Sequence, residues 1–169
     1  MHYRGRALDQ GGAGARQSAA KDLILYVEDE PLNFRVAEVL LQDNFDLVHA
    51  SDDRAACEAL RRYNKRIYAI LMDIQLVKSK LDGIELTRLI RGTLREADMP
   101  DYAVGVPVLS DVPIFFLTAY GSMYSESILQ NAGGDRLLAK PVNAAVLELA
   151  LTSIRLRKLG VPSLIPPKK

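Results

Sequence analysis

Cysteine and histidine are scarce in this sequence, and apolar runs long enough to cross a membrane are missing from it. A single cysteine, Cys57, excludes an internal disulfide. It falls in a segment of helical character, Asp52–Tyr63, where a small buried hydrophobe is its expected role. Two histidines, His2 and His49, are too few and too scattered for a zinc site. The strongest apolar runs, such as Val112–Ala119, fall far short of the roughly 20 residues that a spanning helix needs, so no membrane contact is expected. The N-terminus has no compact apolar segment of the kind that directs secretion, which makes the cytoplasm the expected compartment.

What is present is ample apolar material: 49% of 169 residues, enough for one domain with a proper core. Charge is distributed unevenly beneath a net +1. Residues 1–21 carry Arg4, Arg6, Arg16 and Lys21 against Asp9, and residues 155–169 carry Arg155, Arg157, Lys158, Lys168 and Lys169 against no acid. The stretch between is therefore acidic, which argues against direct DNA binding by the folded part. Residues 1–21 are rich in Gly, Ala, Arg and Gln without periodicity. No strand precedes Gly11-Gly12-Ala13-Gly14, so these glycines read as part of a flexible arm and not as a phosphate loop.

From residue 22 the pattern changes. Leu23–Val27 is a continuous apolar run, as expected for a strand buried on both faces. Pro31 suits the first turn of a helix reaching about Gln42. Strand Phe45–His49, helix Asp52–Tyr63, strand Ile67–Met72 and helix Gly83–Arg95 follow. Strand Pro113–Leu117, a short helix near Ser122–Ala132, strand Asp135–Ala139 and helix Asn143–Lys158 complete the series. Five strands alternating with five helices predict a parallel sheet within a three-layer α/β sandwich. The tail from residue 159, with Pro162, Pro166 and Pro167, cannot continue the last helix. The predicted organisation is thus an arm (1–21), one domain (22–158) and a tail (159–169), and the tails are too short for a DNA-binding output domain.

In such a sheet, function collects at the carboxyl ends of the strands. Strand one ends in Glu28-Asp29-Glu30, strand three in Asp73, strand four in Thr118 and strand five in Lys140-Pro141. Crowded carboxylates repel, and a hard divalent cation with oxygen ligands would neutralise them. Each piece alone has an ordinary reading: Asp29 as a helix cap, Thr118 as a strand residue, Lys140 as a solvated charge.

The segments LILYVEDE, LMDIQ…LDG, FFLTA and LLAKPV, in that order and each at a strand end, resemble the signature of response-regulator receiver domains over about residues 22–158. The resemblance implies a sheet of order 2-1-3-4-5 and a phosphorylation switch that accepts a phosphoryl group from a histidine kinase or a histidine phosphotransfer protein. Asp73 would be the phosphoacceptor. Asp29, Asp73 and the backbone carbonyl of Gln75 would bind Mg²⁺ directly, and Glu28 through a metal-bound water. Lys140 and Thr118 would each meet a phosphoryl oxygen. The only enzymatic activity implied is the domain's own phosphoryl transfer and dephosphorylation. Asp29-Glu30-Pro31-Leu32-Asn33 is similar to receivers of hybrid kinases.

Departures from the family pattern are also legible. The loop IQLVKSKL after Asp73 is slightly long, lacks the usual proline, and carries Lys78 and Lys80 on the site edge. An insertion, Glu96–Val112, joins helix three to strand four; such loops lie at the opposite edge, so it reads as a spacer or a partner contact. Leu137 stands where the family often has a switching aromatic, leaving Tyr120 and Tyr124 as substitutes. The first helix is apolar over a broad arc, and Phe34 is the candidate partner contact on it. The face of helix four, strand five and helix five is expected to serve output, through a homodimer or a separate effector. A pseudo-receiver acting only as an interaction module is the alternative, but such chains usually lose one of the five key residues. A phosphatase of the haloacid dehalogenase type would need an acid where Gln75 stands.

Overall fold

The computed structural model of the protein describes residues 20–119 and 124–160. Five strands alternate with five helices: β1 Asp22–Val27, α1 Pro31–Leu41, β2 Phe45–Ala50, α2 Asp53–Tyr63, β3 Ile67–Asp73, α3 Gly83–Arg91, β4 Ile114–Thr118, α4 Glu126–Asn131, β5 Arg136–Ala139 and α5 Ala144–Lys158. The strands form one sheet in the order β2-β1-β3-β4-β5, every pair parallel, as the alternation of elements predicts.

Strand side chains alternate between two faces, and each face buries its own core. Ile24 and Tyr26 of β1, Leu71 of β3, and Phe115 and Leu117 of β4 pack with Leu41 of α1 and Leu147, Leu151 and Ile154 of α5. Leu25, Val27, Ile70, Met72 and Phe116 pack with Cys57 and Leu60 of α2, Leu86 and Ile90 of α3, and Leu129 of α4. Cys57 is fully buried, and burial pushes its thiol pKa up to about 11, so at neutral pH it is a protonated, packed hydrophobe as expected.

Helix ends follow local chemistry. Pro31 opens α1, and its cap is Glu30, whose carboxylate accepts the Leu32 N–H; Asp29 is thereby left to other work. Asp82 and Glu85 form a reciprocal capping box on α3. That helix stops at Arg91, short of the predicted Arg95, because Gly92 adopts a left-handed φ of 71° and returns its N–H to the last turn. The insertion that follows contains two 3₁₀ turns, Glu96–Asp98 and Asp101–Ala103. Helix α4 is shorter than predicted, beginning at Glu126 behind a Ser125 cap.

The chain leaves β1 for one side of the sheet and β3 for the other. Their carboxyl ends therefore flank a crevice at the point where the strand order reverses.

Candidate functional site

Register brings the polar residues level with one another. Val27 pairs with Met72, so Glu28 follows beside Asp73; Asp73 pairs with Leu117, and Thr118 with Ala139, the residue before Lys140. A cavity of about 400 Å³ opens here, lined by Glu28, Asp29, Asp73, Gln75, Thr118, Tyr124 and Lys140 among others.

Glu28 has no solvent exposure and is surrounded by donors. Lys140 Nζ lies 2.6 Å and the Tyr26 hydroxyl 3.2 Å from Oε2, while Asn33 Nδ2 donates at 3.0 Å and the Glu30 N–H at 3.3 Å to Oε1. A buried carboxylate needs such a shell, since an unpaired one costs several kcal/mol. Burial, with the Glu28 charge adding to it, pushes the Tyr26 phenol pKa far up, so that phenol remains a donor.

Asp73 is itself mostly buried. Lys140 Nζ lies 2.8 Å from Oδ2, and the Gln75 N–H donates to Oδ1 at 3.2 Å. Burial raises its carboxyl pKa above the usual range; Lys140 opposes that rise, Glu28 adds to it, and the Gln75 N–H opposes it in turn. One ammonium thus serves two buried acids. Asp29 accepts the Val77 N–H at 2.9 Å. Oxygens of Glu28, Asp29 and Asp73 lie within 4.8 Å of one another, an all-oxygen donor set that suits a hard divalent cation.

Lys140 is far from a solvated charge: its side chain is 11% exposed, and its backbone N–H donates to the Thr118 carbonyl at 2.8 Å. The Lys140-Pro141 peptide bond is cis. Gly83 closes the loop after β3 by donating its N–H to Ile74, and a Cβ there would sit 2.0 Å from the Asp73 carbonyl oxygen. Gly83→Ala should therefore destabilise the fold by about 1–3 kcal/mol, and more if Asp73 cannot shift, in chemical unfolding. A loss below about 0.5 kcal/mol would show that the contact relaxes freely.

Of the residues singled out by sequence, Glu28, Asp29, Asp73, Gln75, Thr118 and Lys140 converge on this crevice. Tyr124 joins them, while Tyr120 lies outside the described residues. Leu137 is half-buried against the α2–α3–α4 side of the core. Phe34 stacks on His49 at 4.0 Å between ring centroids, whereas Leu32, Val36, Val39 and Leu40 are the exposed apolar residues of α1. Tyr26 and Asn33 were missed. Tyr26 carried a signal, since a phenol in a buried aliphatic strand needs a polar partner, whereas Asn33, in the first turn of α1, carried none.

The sheet order and the acidic crevice define an α/β receiver fold, shared with known structures. The chemotaxis protein CheY4 of Vibrio cholerae matches with a TM-score of 0.61 at 22% identity, over 80% of this chain and 99% of that one. NtrX of Brucella abortus matches with a TM-score of 0.64 at 21% identity, over 83% of this chain and 29% of that one.

Residues 24–152 match the response regulator receiver domain, and the chain belongs to that family of two-component signalling proteins. Among curated relatives, probable histidine kinase 1 of Oryza sativa subsp. indica is 32% identical over 75% of this chain and 15% of its own length. Nitrogen assimilation regulatory protein NtrX of Azorhizobium caulinodans is 32% identical over 80% of this chain and 27% of its own. The chain thus spans only a minor part of these relatives. Among the described residues, no helix is long and apolar enough to cross a membrane.

Proposed function

We propose that this receiver is a phosphorylation-dependent switch in which Asp73 takes a phosphoryl group from the phosphohistidine of a histidine kinase or a histidine phosphotransfer protein. The observation that carries the reading is the Asp73 carboxylate, at the end of a central strand, gripped by Lys140 with Glu28 and Asp29 beside it. In the transfer, an Asp73 oxygen attacks phosphorus, the P–N bond breaks, and its electron pair leaves with the imidazole. Lys140, already on the carboxylate, follows the charge to a phosphoryl oxygen, and the Thr118 hydroxyl donates to another. Water attacking the aspartyl phosphate returns the free acid, the only other reaction assigned to the chain.

Asp29, Asp73 and the Gln75 carbonyl would hold Mg²⁺, with Glu28 acting through a bound water. When bound, Mg²⁺ neutralises the crowded acids and the incoming phosphoryl charge. The exposed apolar residues Leu32, Val36, Val39 and Leu40, beside half-buried Phe34, support α1 as the docking face for the histidine-bearing partner. Residues 22–158 are the functional unit, with 1–21 and 159–169 as arm and tail. Exposed Ile128, Val146 and Leu149 support output through α4, β5 and α5, to a second copy or a separate effector. The presence of Glu28, Asp29, Asp73, Thr118 and Lys140 in one crevice disfavours a pseudo-receiver.

The test is intact mass after incubation with Mg²⁺ and acetyl phosphate: one phosphate should add, and an unmodified chain would count against transfer. Hydrogen exchange with and without beryllofluoride should then show altered protection from residue 119 to 138, where the switch is read. A change confined to the Asp73 loop would mean that phosphorylation does not propagate.

A further inference from the structure

The insertion between α3 and β4 leaves from the edge opposite the crevice, yet it reaches back to the site edge along α2. Arg61 of α2 donates to the carbonyls of Tyr102 and Val104, and Leu109 donates its N–H to the Ile90 carbonyl at 2.9 Å, so the segment is anchored in its middle and at its end. From there the Tyr102 hydroxyl donates to the Asp53 carboxylate at the start of α2. The same Asp53 oxygen accepts the backbone N–H groups of Lys80 at 3.1 Å and Leu81 at 2.9 Å, both in the loop after Asp73. The Asp53 N–H donates to Ser79 Oγ at 3.1 Å. Asp53 is only 4% exposed, and the Tyr102 ring is covered by the Arg54 guanidinium, 4.3 Å from its centroid.

The acid is thus a hub with three donors, one from the insertion and two from the loop after β3. A helix needs only one capping group, and Asp52 already caps α2 by accepting the Ala55 N–H at 2.7 Å. Asp53 faces the loop instead. The loop's other end carries the Gln75 N–H to Asp73 and the Val77 N–H to Asp29. Three fixed points therefore set its path: Asp73, Asp29 and Asp53. Buried Ile74, Leu76 and Leu81 tie the loop to the core, but Val77 and Lys78 between them are exposed, and with no proline there the backbone amides take their outside anchors from these acids.

We propose that Asp53 and Tyr102 are positioning residues: a clamp through which the 96–112 segment holds the loop after β3 in the shape that the metal site requires. The clamp rests on the Mg²⁺-site reading above for its consequence, though not for its existence. Releasing it frees the far end of the loop and spreads Gln75 and Val77 over more conformations. Metal binding must then order them, so affinity falls while the chemistry at Asp73 is untouched.

The test compares full-length wild type with Tyr102→Phe, which removes one oxygen from a half-buried ring, and with Asp53→Asn, which keeps an acceptor for the loop amides. In EDTA, amide exchange at Lys80 and Leu81 should speed up about tenfold in Tyr102→Phe, the order expected for one lost charge-assisted hydrogen bond, and at least as much in Asp53→Asn, whose neutral oxygen weakens every bond that it accepts. The Mg²⁺ concentration at half-maximal rise in thermal midpoint should increase several-fold in Tyr102→Phe. The rate of adduct formation from acetyl phosphate at saturating Mg²⁺ should stay near wild type. Arg95→Ala, which breaks only an exposed ion pair at the entrance to the insertion, should change none of these.

Unchanged exchange at Lys80 and Leu81 in Tyr102→Phe would overturn the clamp. Faster exchange with an unchanged Mg²⁺ requirement would overturn its link to the metal site. A wild type that neither binds Mg²⁺ nor takes phosphate would instead overturn the switch reading, and the exchange comparison in EDTA would still decide the clamp.

Discussion

Asp73→Asn should abolish the phosphate adduct completely and, in metal-free buffer, raise the thermal midpoint above wild type. The first effect follows from the proposed role of Asp73, since an amide replaces the carboxylate that would attack phosphorus. The second follows from the direction of its pKa. Burial and the Glu28 charge raise the folded-state value above the ordinary 3.8 despite Lys140. Between the two values the folded state binds more protons than the unfolded chain, so stability falls as pH rises through that window. Above the ordinary value the Asp73 carboxyl is therefore a net burden in the absence of metal, and an amide of the same shape removes it. Mg²⁺ should stabilise wild type, by linkage, far more than the variant. Mass spectrometry and calorimetry at pH 7 check both; an adduct of undiminished yield would sink the assignment of Asp73, and a lower midpoint would sink the account of its charge.

Lys140→Met should be the most damaging single change in the crevice. The ammonium is the cation that both Glu28 and Asp73 contact, at 2.6 and 2.8 Å, and Glu28 is fully buried. Removing one partner from a buried pair costs about 3–5 kcal/mol, because the remaining charge stays desolvated. Two acids are left here, although Tyr26 and Asn33 still serve Glu28 and soften the loss. Adding Asp73→Asn to Lys140→Met should recover part of the stability, since one of the two stranded charges is gone. Mg²⁺ should also stabilise Lys140→Met by more than it does wild type. Urea unfolding of the four proteins decides this, and a loss below about 1 kcal/mol in Lys140→Met would mean that water reaches Glu28 after all.

The architecture was legible because its signals are local and redundant. LILYV and IYAILM read as strands buried on both faces, and parallel strands joined by helices leave few arrangements. The acids at the ends of β1 and β3 were equally plain, since each ends an apolar run whose direction sets the edge it reaches. Boundaries were less so: α3 was read through Gly92, whose left-handed turn costs glycine nothing and stops the helix.

Sequence alone thus determined the sheet, its order through the family resemblance, and which edge would carry Glu28, Asp29, Asp73, Thr118 and Lys140. Tertiary structure alone decided what each of these touches. That Lys140 bridges two acids depends on β1, β3 and β5 meeting at one level, which brings together residues far apart in the chain. That Asp29 serves the loop while Glu30 caps α1 was open until the backbone path was known. The Phe34–His49 stack and the Tyr102–Asp53 contact join side chains from separate elements, and no periodicity records such pairs. Periodicity reports which face a residue is on; which neighbour it meets there is set by register, loop path and side-chain reach, and these exist only in the folded chain.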